Sequence, residues 1–157
     1  MGGRVNSQLP SANSQAAVVS ARAEVAKRCE TIEQAYEYML AYAAQGLPSD
    51  AGSQSGGQLR DFLTRFADAL DDIGEQYRLL VKAEKLESSK RYQEFIKVLD
   101  RDAVDTLAAI HLVLAQRSIS SQMIDNLNAS MHLRALLTDI FLIDEVLKNP
   151  HDGEDQG

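Results

Sequence analysis

The chain has 157 residues and a mass of 17.3 kDa, room for one domain with a sizeable core. It is 45% hydrophobic and 25% charged, with a net charge of −7. That balance excludes a disordered chain, and the lack of any basic stripe excludes a nucleic-acid backbone binder.

Residues 1–14 read as a flexible lead-in. MGGRVNSQLPSANSQ has no apolar run of the secretory kind. Asn6 also stands where a myristoylation site needs Ser or Thr. The first helical stretch then carries Val18, Val25, Cys29, Ile32, Tyr36, Met39 and Ala43 on one stripe, with Arg22 its single break. Residues 46–57, GLPSDAGSQSGG, hold four Gly, one Pro and three Ser and read as an irregular connection. It is longer than most bundle connections, and so is either mobile or an unusual spacer.

The second stretch repeats Leu59, Leu63, Phe66, Leu70, Ile73, Tyr77 and Leu80 without a break. Ser88 and Ser89 offer caps for the third, which carries Tyr92, Ile96, Leu99, Ala103, Leu107, Ile110 and Leu114. Ser118, Ser120 and Ser121 offer caps for the fourth. Its wider stripe holds Ile124, Leu127, Met131, Leu133, Leu137, Ile140, Ile143 and Leu147. That helix must end by Asn149, because Pro150 disfavours helical geometry in the residue before it. Residues 150–157 form an acidic tail.

Spacings that alternate four and three mark near-parallel helix packing, and no stretch alternates with period 2. The predicted fold is all-α: an antiparallel bundle of about four long helices over 15–149, with the irregular connection at 46–57. Phe66, Leu70, Ile73, Tyr77, Leu99, Leu107, Ile110, Leu137 and Ile140 are its expected core.

Catalytic signatures are missing. No nucleotide-binding loop occurs. The lone thiol, Cys29, falls on an apolar stripe and reads as a structural cysteine; a reducing, cytoplasmic setting suits it. His111 and His132 lack an acid or a second His at i±4, so neither forms a helical metal pair, and His151 lies in the tail. The expectation is a protein that is not an enzyme. No apolar run reaches the ~18 residues of a membrane span.

One cluster stands out. Asp68, Asp71, Asp72 and Glu75 fall within two turns of the second stretch. Asp68–Asp72 and Asp71–Glu75 are i,i+4 pairs on the outer side of the seam. Their repulsion would be relieved by a bound cation. Gly74 sits among them, at a cost of about 1 kcal/mol against Ala, which points to a packing reason.

Leu70-Asp71-Asp72-Ile73-Gly74-Glu75 resembles the L-E-R-I-G-D segment of PhoU-like helical domains. By that resemblance the family's E-x-x-x-D metal motif would fall at Asp71-x-x-x-Glu75, with both acids kept as acids. Ala129 to Leu133 and Thr138 to Asp144 resemble a pattern near the end of the cytoplasmic PhoU-like region of sodium/phosphate cotransporters, with His132, Leu133, Asp139 and Ile143 in place. Phe141 replaces the first acid of the family's second motif, and Glu145 remains.

The resemblance implies a PhoU-like regulatory module linked to phosphate uptake. Such a module docks on a membrane transporter or signalling protein at the inner face of the membrane. It also implies a divalent metal (manganese, iron or zinc) on Asp71 and Glu75, with Asp68 and Asp72 nearby. The residues read without it give a generic helical-bundle interaction or homo-oligomerisation protein, with no metal and no phosphate connection.

Overall fold

The computed structural model describes residues 12–86 and 88–148. The expectations for residues 1–11 and for the acidic tail lie outside the described residues. Within them the chain is all-helical, with no strand. The helices are α1 (Ala12–Ala44), α2 (Gln54–Leu70), α3 (Ile73–Ala83), α4 (Ser89–Leu114), α5 (Ser121–Ala129) and α6 (Met131–Lys148).

α1 has 33 residues and is about 50 Å long at 1.5 Å per residue. It already includes Ala12, Asn13 and Ser14, which corrects the boundary of the lead-in. Extending an existing helix adds one hydrogen bond per residue fixed, so its first turn forms readily.

The connection after α1 is shorter than expected, because Gln54 to Gly57 form the first turn of α2. Ser53 caps that turn, its side chain accepting the Gly56 N–H at 2.9 Å. The connection is also pinned. Asp50 accepts the Ile119 N–H and Arg60 Nε, each at 2.7 Å. Leu47 N–H donates to Ser121 Oγ, and Ser121 N–H donates to the Leu47 carbonyl, each at 2.8 Å. A Cβ on Gly56 would lie 1.9 Å from the Asp50 carbonyl oxygen, so only glycine lets the loop cross here.

Two expected long helices are each broken once. The second stretch is interrupted at Asp71 and Asp72. Asp72 takes left-handed geometry (φ 58°), which a short polar side chain tolerates. The fourth stretch is interrupted at Ser130, whose extended backbone places its Oγ to accept the Leu133 N–H at 3.3 Å.

Long-range contacts fix the directions. Going up α1, Arg22 meets Leu147, Cys29 meets Tyr77 and Asp144, Tyr38 meets Ser55, and Tyr42 meets Ile119. As the α1 numbers rise, the partners fall from Tyr77 to Ser55 on one side and from Leu147 through Asp144 to Ile119 on the other, so α1 runs antiparallel to α2–α3 and to α6. Arg60 reaches the carbonyls of Leu114 and Gln116 while Arg78 reaches Asp100, so α4 opposes α2–α3.

The core lies between these helices. Phe66, Leu70, Ile73, Tyr77, Leu99, Ile110, Leu137 and Ile140 are buried as expected, and Leu107 is half-buried against them. Each buried large apolar side chain contributes roughly 1.5–3 kcal/mol. Met131 departs from its expected place on the inner stripe. It opens α6 just past the break at Ser130 and is 83% exposed.

Candidate functional site

The acidic cluster is not the helical array its spacing suggested. Asp68 lies on α2, Asp71 is the residue after its last turn, Asp72 is the left-handed residue, and Glu75 is in the first turn of α3. All four are exposed. The break removes the regular i,i+4 geometry from both pairs, which corrects the expectation of one shared helical face.

Basic residues surround the cluster, and Glu75 is the acid whose carboxylate pairs with one of them. Arg28 of α1 donates to the Ala69 carbonyl at 3.3 Å and also to the Asp71 carbonyl, satisfying orphan acceptors at the end of α2. Arg78 pairs with Glu75 at 3.5 Å and with Asp100. Asp68 borders a polar cavity of about 260 Å³ beside Lys27, Arg28 and Arg65. Among the described residues, no three His, Cys, Asp or Glu side chains converge so as to hold a metal ion. Gly74 has its packing reason: a Cβ there would sit 1.8 Å from Asp100 Oδ1, where α3 crosses α4.

Two buried polar groups lie elsewhere. The Tyr77 hydroxyl donates to Asp144 Oδ1 at 2.7 Å, and the Cys29 thiol lies 3.4 Å from that hydroxyl and 3.5 Å from Asp144 Oδ2. Burial pushes the Cys29 thiol up to about 12 and raises Tyr77 as well. A thiol held protonated at neutral pH is no nucleophile. Cys29 therefore ties α1 to α3 and α6.

The second group is on the α4–α6 face. Asp139 of α6 is buried, with Oδ2 lacking a hydrogen-bond partner. Burial, and then the Asp102 carboxyl of α4, push Asp139 up to about 7. Next to this pair, His132 Nδ1 lies 3.9 Å from Asp105 Oδ2.

Apolar grooves flank these acids. Toward the start of α4, Tyr92 and Phe95 face Leu142, Ile143 and Val146 of α6 across a groove of about 370 Å³. Toward its end, Leu112 and Val113 face Met123 and Leu127 of α5 across one of about 380 Å³. Leu142 (52%) and Val146 (45%), which line the first groove, stay exposed, and so does Phe141 (58%), which precedes Leu142 on α6. Large apolar side chains grouped on a surface mark a place where another apolar surface fits.

Sequence reasoning missed this face because it scored one stripe per helix. Phe141, Leu142 and Val146 lie off the inner stripe of α6. Three large apolar residues among six were a readable signal of a second, outward face. Among the described residues no helix is long and apolar enough to cross a membrane. No protein-family model, curated protein or solved structure matches this chain.

Proposed function

We propose that this chain is a non-enzymatic helical-bundle module that works by binding another protein through α6 and the groove between α4 and α6. Its six helices act as four rods of an antiparallel bundle: α1, α2–α3, α4 and α5–α6. The observation that carries the reading is the exposed group Phe141, Leu142 and Val146 beside the groove floored by Tyr92 and Phe95. The one thiol is buried and protonated, in keeping with a binding role rather than nucleophilic chemistry.

The PhoU-like version of this reading makes the partner a transporter or signalling protein of phosphate uptake. It rests on the two sequence patches alone, and the break at Asp71–Asp72 takes away the regular helical turn its metal motif would use.

A photoreactive residue at Val146, introduced in the native host, tests the reading. It should give a discrete protein adduct that the same probe at exposed Gln34 on α1 does not. Absence of an adduct at Val146, or the same adduct from both positions, would contradict it.

A further inference from the structure

The outward side of α6 carries a second seam. Met131, Arg134, Thr138, Phe141, Glu145 and Lys148 are all exposed, and their spacing runs three, four, three, four, three. That is the alternation by which one helix packs along another, and no helix among the described residues covers it. The inner seam of α6, from Leu133 to Leu147, is already filled by the core.

The spacing reads the same in both directions. In an antiparallel pair of α6 helices related by a two-fold axis, residue i faces residue j and j faces i. Centred between Asp139 and Ile140, such a pair sets Thr138 against Phe141, Arg134 against Glu145, and Met131 against Lys148, each twice. Opposite charges therefore meet on both sides of a centre in which each Phe141 ring lies against a Thr138 side chain. Among the described residues Arg134 has no ion-pair partner within its own chain, and Glu145 pairs only with its helical neighbour Lys148, at 3.0 Å and mostly exposed.

From this complementarity we infer that a second copy of this chain covers the outward face of α6, forming an antiparallel two-fold dimer. The inference rests on the interaction reading above and names the partner. An 18-residue helix is about 27 Å long. Such a contact buries less than the ~800 Å² per partner of a standard complex, which places the dimer among the weak, concentration-dependent ones.

Sedimentation equilibrium and light scattering across the micromolar range test it. The wild-type mass should rise from 17.3 kDa toward twice that value. Phe141→Glu should weaken the dimer at least tenfold, with unchanged helical circular dichroism. Arg134→Glu and Glu145→Arg should each be monomeric alone, and mixing the two should restore a dimer, because each chain then supplies the charge the other needs.

A mass of one chain throughout, or a dimer indifferent to Phe141→Glu and to the charge exchange, would overturn the inference. A monomer together with Val146 adducts to a different protein would overturn self-pairing and leave the interaction reading standing. A monomer without adducts would overturn both.

Discussion

Tyr77 on α3 and Asp144 on α6 share a 2.7 Å hydrogen bond in the interior, across 67 positions of sequence. Tyr77 is fully buried, so its hydroxyl has no water to fall back on. The bond links the two helices that flank α1 at Cys29. Tyr77→Phe keeps the ring and removes the donor. It should lower stability by about 1–3 kcal/mol, read from urea unfolding, since the Asp144 carboxylate loses its closest donor. An unchanged midpoint would mean that the bond adds nothing.

Gly74 and Gly57 make opposite cases. At Gly57, in the first turn of α2, an added Cβ meets nothing within 4 Å. Gly57→Ala should stabilise by about 0.5 kcal/mol through the unfolded chain. At Gly74 the Cβ would displace the Asp100 carboxylate from Arg78. Gly74→Ala should lower stability by about 1 kcal/mol, and Gly74→Ala/Asp100→Ala should recover part of that. Thermal unfolding of the four proteins checks both signs.

Asp139 sets a pH dependence. Its folded value is about 7 against roughly 3.9 in an unfolded chain. The folded state therefore holds the extra proton between those values, and stability falls as pH rises from about 4 to about 7. Above that window the buried charge is a standing cost. Asp139→Asn should flatten this part of the pH profile and raise stability at pH 8 by on the order of 1–3 kcal/mol. Denaturant midpoints at pH 5 and pH 8 measure it.

The acidic cluster yields a fourth expectation. With Glu75 paired to Arg78 and the helix broken at Asp72, Asp71 and Glu75 do not share a helical turn. Two carboxylates alone leave most of the roughly six oxygen positions of a hard cation to water. Calorimetry with manganese should give the same heats for wild type and for Asp71→Asn/Glu75→Gln. A saturable heat present only in the wild type would restore the metal site.

The helical class and most of the core were legible because burial and period coincide: Leu59, Leu63, Phe66, Leu70, Ile73, Tyr77 and Leu80 are all buried. The same regularity hid the break inside that run. Two non-helical residues at Asp71 and Asp72 leave the alternation of four and three intact, so periodicity cannot register them. Ser130 was more readable, as a serine placed to cap the turn that begins α6. The pinned connection was illegible, since Asp50 finds Ile119 and Arg60 only after the chain has folded. Asp139 was hidden for a related reason. It lies at the edge of an apolar stripe, where only the neighbouring helix decides whether an acid is solvated or buried.

Radical footprinting of Met131 and Phe141, in intact cells and in dilute purified protein, tests the central claim most directly. These side chains are 83% and 58% exposed in the single chain, and Leu79 on α3, at 47%, serves as reference. If the outward face of α6 is where this chain binds protein, Met131 and Phe141 are several-fold less reactive in cells while Leu79 is unchanged. Equal reactivity of all three residues in both settings would contradict the account.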